Sequence, residues 1–266
     1  MATLDTVDFA LHLPDAHSEL DQDEEWCEIV IAGKRRRIRF HDYAEIYDVP
    51  GLYERLFAEQ LECDSPRIVT DLLGEALRDA RVKPAELAAL DFGAGNGMVG
   101  ERLDELSMGD IVGIDLLPEA RDAAHRDRPG LYRDYQALDM TDLEPAQRGD
   151  LMRHDFSVMA CVAALGFGDI PPLAFAEAFN LVGSPGWVAF NIRDRFLEEE
   201  TGFGGFITRM LREGVIDERA RKRYVHRRSV SGDDLEYVAI VASKRRDVPL
   251  DWARKRLTLA RRPGPT

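Results

Sequence analysis

Cysteine is scarce in this chain, and Cys27, Cys63 and Cys161 are the only three. Odd in number, far apart and without the paired spacing of zinc ligands, they point to neither a disulfide framework nor a metal centre, and read as reduced thiols. Long apolar runs are missing too. The longest, "FSVMACVAAL" at 156–165, is about half the ~20 residues that a membrane helix requires. The first residues are acidic where a secretory signal would be basic. A cytoplasmic protein with no membrane partner is therefore expected. Positive charge is in deficit, with 35 Lys and Arg against 49 Asp and Glu and a formal net charge of −14. Such a chain repels a polyanion, which counts against a nucleic-acid partner because phosphate neutralisation supplies most of that affinity. No internal repeat is evident.

What is present suits one main domain with an accessory element: 266 residues, 45% hydrophobic and 32% charged. The charge is uneven. Residues 1–25 hold eight acids and no Lys or Arg, whereas residues 244–266 hold eight Lys or Arg against two Asp. These ends read as a disordered acidic arm and a solvated basic tail. Between them, "EEWCEIVIAGKRRRIRF" alternates on both sides of Ala32-Gly33-Lys34 and predicts a β-hairpin over 26–40. Its basic run Lys34 to Arg37 then lies on a strand, as an edge blunted by charge rather than a nucleic-acid patch. "YAEIYDVPGLYERLF" and "SPRIVTDLLGEALRDARV" look helical. Pro50-Gly51 breaks the first, and Ser65 is expected to cap the second ahead of Pro66. Residues 26–85 thus form a hairpin and helical segment before the main domain of 86–243.

From residue 86 short apolar runs alternate with helical stretches: "ELAALDF", "MVGERLDELS", "DIVGID", "LPEARDAAHRD", "YQALDM", "FSVMAC", "PPLAFAEAFNLV", "WVAFNI", then a long helix over about 194–215. Such a pattern predicts a parallel sheet covered on both faces, with ligands at the carboxyl ends of its strands. "RKRYVHRRSVSGDD" and "LEYVAIVASKR" read as a closing antiparallel hairpin.

The first strand runs into "LDFGAGNGMVGERL", where four glycines fall within eight positions just before a helix. Glycine permits φ > 0 and close approach of a ligand to the backbone, and the helix start adds its dipole. A dinucleotide fingerprint G-x-G-x-x-G counted from Gly93 meets Met98 where its third glycine belongs. The fit is instead acid-x-G-x-G-x-G, through Asp91, Gly93, Gly95 and Gly97. An acid there suits a zwitterion bearing an ammonium group better than a pyrophosphate; a bare turn or a nucleotide loop is the alternative. Asp115 ends the second strand about 20 residues on, where an acid accepts from ribose hydroxyls. Asp139 ends the third, placed to accept from an adenine amino group with Met140 beside the ring. Asp115 as a solvated strand end and Asp139 as a helix cap stay open.

These motifs resemble those of class I S-adenosylmethionine-dependent methyltransferases: "LDFGAGNG" its first motif, "IVGIDLLPEA" its second, "LDMTDL" its third, and "HDFSVMACVAALGFGDIP" the strand and loop that follow. The resemblance spans about residues 40–243, with "YAEIYD" and the C-terminal strands most like small-molecule members. It implies an α/β, Rossmann-like sheet of seven strands in the order 3-2-1-4-5-7-6, the last strand antiparallel, with helices on both faces and S-adenosylmethionine as cofactor. It further implies that Asp91 with Gly93, Gly95 and Gly97 holds the methionine end, Asp115 with the adjacent Leu116 the ribose, and Asp139 with Met140 the adenine. Cys161 and Val162 would lie under the sulfonium, Cys161 through its backbone or as a plain buried residue. Tyr47 is nominated as a cofactor contact, although Tyr43 and Tyr47 at i, i+4 equally suggest packing. Arg67 is a weaker candidate for the methionine carboxylate.

The expected reaction is in-line transfer of a methyl group to O or N of a small-molecule acceptor, with a general base optional because orientation alone supplies much of the acceleration. Candidates on the acceptor side are Asn191, Arg193 and Tyr224 with His226, the last reading as a surface histidine between arginines unless it is the base. No Asn-Pro-Pro-Tyr-type motif follows the fourth strand, where "CVAALGFG" stands, and this argues against base or glutamine amino groups. Other readings are a non-catalytic cofactor-binding module and an NAD-dependent enzyme. The hairpin of 26–40 has no family counterpart; residues 26–60 are expected to act as a lid or as a homodimer contact.

Overall fold

The computed structural model describes residues 8–15, 20–165, 169–197 and 202–254. Near its start lies a three-stranded antiparallel sheet of β1 (Phe9–His12), β2 (Trp26–Ile31) and β3 (Lys34–Arg39), in the order β1-β2-β3. Positive φ at both Ala32 (50°) and Gly33 (77°) makes the β2–β3 connection a tight two-residue hairpin of the kind that matches strand twist. The expected hairpin is there, but the acidic arm is not wholly an arm. Within it Phe9-Ala10-Leu11 pairs with Ile31-Val30-Ile29, and Phe9 enters a core with Cys27, Ile29, Ile38 and Phe40. Apolar residues this few are hidden in sequence by the acids around them. Residues 1–7 lie outside the described residues. On β3 the basic run is exposed and engaged: Arg35 pairs with Glu28, Arg36 with Glu45, and the Arg37 guanidinium lies 3.7 Å from the Trp26 ring centroid.

Three helical pieces follow: α1 (Tyr43–Tyr47), a π-helix (Glu54–Gln60) and α2 (Ser65–Asp79), the first two separated by Pro50-Gly51 with Gly51 at φ +79°. The cap of α2 is Asp64 rather than Ser65. Ser65 is the first helical residue, and its hydroxyl turns inward to the side chains of Tyr224 and His226 instead of to its own helix.

The main domain runs β4 (Ala88–Phe92), α3 (Met98–Glu105), β5 (Asp110–Asp115), α4 (Pro118–Asp127), β6 (Asp134–Ala137), α5 (Pro145–Met152), β7 (Val158–Cys161), α6 (Pro172–Leu181), β8 (Gly186–Arg193), α7 (Asp194–Leu197), α8 (Gly202–Arg212), β9 (Ile216–Arg228), β10 (Asp234–Lys244) and α9 (Leu250–Arg254). Its seven strands lie in the order β6-β5-β4-β7-β8-β10-β9, with β10 antiparallel to both neighbours. Numbered within the sheet, this is the expected 3-2-1-4-5-7-6. Apolar clusters cover both faces, one built around Phe175, Phe179 and Phe190 and the other around Leu73, Leu77 and Leu103. Two details differ from expectation. Helix α5 has no counterpart in the sequence pattern. Of the long helix over 194–215 the described residues show α7 and α8, with 198–201 outside them. The basic tail begins inside the core: Lys244 is fully buried and donates to the carbonyls of Phe179 and Val182, orphaned at the end of α6. Arg209 then covers Trp252 of α9, 3.9 Å from its centroid, and residues 255–266 lie outside the described residues. Among the described residues no helix is long and apolar enough to cross a membrane.

Candidate functional site

The glycine turn joins β4 to α3 with positive φ at Gly93 (75°), Gly95 (55°) and Gly97 (93°), and its first two N–H groups, from Gly93 and Ala94, donate to the Ile114 carbonyl. Only glycine fits at Gly95, because a Cβ there would stand 2.5 Å from the Tyr47 hydroxyl. Behind the turn, Tyr135 donates to the Gly95 carbonyl and Tyr132 to Asp91, each at 2.7 Å. Asp91 is therefore buried under the loop and not in the cleft wall. Burial pushes its carboxyl up to about 7. The resemblance gives it the methionine end of the cofactor; here it is bonded to Tyr132 and stands outside the cleft lining. The two tyrosines carried no sequence signal, since aromatics beside a strand are usually core.

In front of the turn opens a cleft of about 290 Å³. Asp115 lies in its wall, one carboxylate oxygen accepting from Gly95 N–H and the other from Leu117 N–H, both at 3.0 Å. Burial raises its pKa against these N–H donors. Leu116 beside it is exposed and lines the cleft. Asp139 and Met140, after the neighbouring strand β6, line the cleft as well. Asp139 accepts from the N–H and hydroxyl of Thr141 at 2.8 and 2.7 Å, and these bonds hold its carboxyl below the usual range. It is both a turn residue and a wall residue. Val162 lines the cleft; Cys161 is fully buried in the core, where burial drives its thiol well up.

Tyr43, Tyr47 and Tyr53 form a stack over the cleft, with centroids 6.3 and 5.1 Å apart. Packing and cleft lining coincide in them, so the two readings of Tyr47 are not exclusive. Arg67 does not take part. It is exposed, bound to Asp64 and Asp71, and faces a separate surface groove. The pairing is local, within one turn of α2, and helical spacing alone shows why.

The acceptor-side candidates do meet, though not as expected. Asn191 and Ser65 are fully buried, and Tyr224 and His226 nearly so. His226 is thus no surface residue: in the alternation of "YVHRRSV" it shares the inward face with Tyr224 while Val225 points out, and at the bulge between Leu235 and Glu236 Arg227 is buried beside it as well. Burial, followed by the charges of Arg227 and Arg193, depresses its pKa to about 3, which leaves a neutral imidazole and a poor general base at neutral pH. Arg193 is half-buried and donates to Gln22 at 2.6 Å. A second chamber of about 40 Å³ carries His226, Tyr237 and Arg227 in its walls and shares Tyr43, Ala163, Ala164, His41 and Asp169 with the cleft. His41 and Asp169, 3.3 Å apart, stand at that boundary; neither had a sequence signal. Among the described residues no group of three or more metal-ligating side chains occurs.

Neither a family model nor a curated protein matches the sequence. Among solved structures, the N-methyltransferase NodS from Bradyrhizobium japonicum WM9, in complex with S-adenosyl-l-homocysteine, superposes with a TM-score of 0.52 at 16% identity, covering 77% of this chain and 97% of that one. The magnesium protoporphyrin IX methyltransferase ChlM from Synechocystis PCC 6803, with bound SAM, gives 0.49 at 11% identity over 86% of this chain and 99% of that one. The chain therefore has the class I S-adenosylmethionine-dependent methyltransferase fold. At such identities the likeness is one of fold, and chemistry has to be argued from the site.

Proposed function

We propose that the cleft binds S-adenosylmethionine and that the protein transfers its methyl group to an oxygen or nitrogen of a small molecule. The observation that carries this reading is Asp115: a carboxylate in the cleft wall at the end of β5, tied to the N–H of Gly95 and flanked by exposed Leu116. It would take the ribose hydroxyls. Asp139, kept ionised by Thr141, and Met140 would take the adenine. The methionine end would meet the turn at Gly93, which lines the cleft, beside the Tyr47 hydroxyl that packs on Gly95. Bound there, the sulfonium supplies an activated methyl group. The protein's own task is then to orient the acceptor and exclude water, and the tyrosine stack of α1 and the π-helix covers the cleft in the right place for this. The aromatic walls and small second chamber favour a metabolite over a polymer.

Calorimetry with S-adenosylmethionine, S-adenosylhomocysteine and NAD tests the cofactor. Binding of the first two and not the third is expected; preference for NAD would overturn the assignment. Mass spectrometry of a small-molecule extract incubated with the protein and methyl-labelled S-adenosylmethionine then identifies the acceptor. Label found only in protein or nucleic acid would remove the small-molecule reading.

A further inference from the structure

Hydrogen positions in the buried cluster behind the second chamber follow from counting donors. Asn191 must present its oxygen to the Ala163 N–H, 2.6 Å away, so its amide nitrogen faces the other way. That nitrogen donates to Tyr224 Oη at 2.7 Å and to Ser65 Oγ at 3.2 Å. The Tyr224 proton then has one acceptor in reach, Ser65 Oγ at 2.6 Å. Ser65 in turn passes its own proton to Nδ1 of His226, also at 2.6 Å. This order satisfies every donor in the cluster; the other neighbour of Nδ1 is the Cys63 thiol, 3.7 Å away, against 2.6 Å for the Ser65 hydroxyl. With Nδ1 accepting, the imidazole carries its proton on Nε2. Among the described residues Nε2 has no hydrogen-bond partner, and His226 is a wall of the second chamber, its ring resting on Tyr237 at 4.1 Å between centroids.

A fixed N–H thus faces a small chamber that is continuous with the cleft. The charges bearing on His226 are those of Arg227 and Arg193. Arg227 is ion-paired with Glu25, while Arg193 has a neutral partner, Gln22. The one carboxylate in the chamber wall, Asp169, sits at the boundary beside His41. At about 40 Å³, a few times the ~10–15 Å³ that one water needs, the chamber has room for the head of an acceptor rather than its body.

We propose that this chamber is the acceptor subsite and that it takes an ionised oxygen, a carboxylate or phenolate, held by the Nε2–H of His226. The inference rests on the cofactor reading above for its chemistry, though not for the chamber itself. The oxygen's lone pair forms the new bond to the methyl carbon as the carbon–sulfur bond breaks, and that bond's electron pair remains on sulfur. An anion and a sulfonium become a neutral ester or ether and a thioether. No proton has to leave, so no general base is required. His226 acts as a donor that orients the nucleophile, while Ser65, Tyr224 and Asn191 are positioning residues that hold its tautomer.

Nitrogen-15 NMR of histidine-labelled protein reads the tautomer directly, and benzoate and 4-nitrophenolate serve as probes, with benzyl alcohol as the uncharged control. The expected spectrum shows His226 protonated on Nε2 at neutral pH, with that resonance moving on addition of benzoate or 4-nitrophenolate but not benzyl alcohol. Which anion moves it separates carboxylate from phenolate. Tyr224→Phe, which removes one proton from the relay without touching the chamber, should let the tautomers mix. His226→Phe should weaken binding of the effective anion about tenfold, the loss of one charge-assisted hydrogen bond. A resonance protonated on Nδ1, or one that neither anion moves, overturns the proposal. Calorimetry with S-adenosylhomocysteine on the same samples judges the cofactor reading separately, because the His226 signal reports on the chamber with or without it.

Discussion

The two sheets of this molecule solve the burial problem in different ways. In the large one, β4, β7 and β8 are buried along nearly their whole length, with helices on both faces, so each strand is secured by apolar area alone. In the small one, β2 alternates and β3 exposes all but Ile38, leaving one thin core to which the β9–β10 turn contributes Val230. What joins the small sheet to the large one is polar. Glu25, fully buried, is ion-paired with Arg227 of β9 and accepts from the Val230 N–H at 2.7 Å, and Arg228 N–H donates to the Leu61 carbonyl. A lid spanning the whole of 26–60 does not agree with this anchoring. The hairpin is pinned; the part facing the cleft is α1 and the π-helix, with Gly51 between them.

The comparison breaks most visibly at Glu25. Glu25→Ala strands the Arg227 charge in the interior, and an expected loss of about 3 to 5 kcal/mol should be seen in urea denaturation. In hydrogen exchange the protection lost should be that of residues 26–60 and not of β4, β5 or β7. Equal loss in both sheets would mean the two do not differ as described.

The large sheet has its own buried charge, of opposite sign in its effect. With the Asp91 carboxyl raised to about 7, the folded protein keeps a proton that the unfolded chain, near 3.8, has already released. Between those values the folded state binds more protons, so this group's contribution is fully present below about pH 4 and is lost as pH rises through 7. The fall amounts to about 4 kcal/mol at most. Stability measured against pH should show Asp91→Asn lacking that decline, whatever its offset; parallel curves for the two proteins would show that Asp91 is ionised throughout.

Asp115→Ala bears on function more than on either sheet. Leaving the ribose hydroxyls without a charged acceptor should cost roughly 1.5 to 3 kcal/mol, about ten- to a hundredfold in calorimetric affinity for S-adenosylhomocysteine. Unchanged affinity would take Asp115 out of the site. The smallest effect is expected at the edge of the small sheet. Arg36 and Glu45 are each nearly half exposed, and Arg36→Ala should change stability by less than about 1 kcal/mol, with the difference shrinking further in high salt.

Much of this molecule was legible before its structure. Alternating apolar runs and helical stretches specify a doubly covered parallel sheet because each strand must bury two faces, and Gly93, Gly95 and Gly97 announce a turn because side chains rarely adopt positive φ and three such positions fall together. Asp115, Leu116, Asp139, Met140 and Val162 are legible as cleft residues because strand ends are local features. Strand β1 was missed because three apolar residues among acids fall below any periodic signal. Asp91 and Arg67 stand outside the cleft lining, which the sequence does not tell, because a carboxylate or guanidinium near a ligand loop looks the same in sequence whether it faces the ligand, the core or a neighbour one helical turn away.

The second chamber was decided by tertiary structure alone. Ser65, Asn191, Tyr224 and His226 are separated by up to 161 positions, and none has a local pattern that sets it apart from a cap, a strand end or a surface residue. Their meeting depends on α2 packing against β9, where Tyr224 and His226 share the inward face. Sequence determines what a residue does when its neighbours along the chain dictate its surroundings. Where a proton sits on a buried imidazole is set by donors brought from four separate elements, and only the folded chain supplies them.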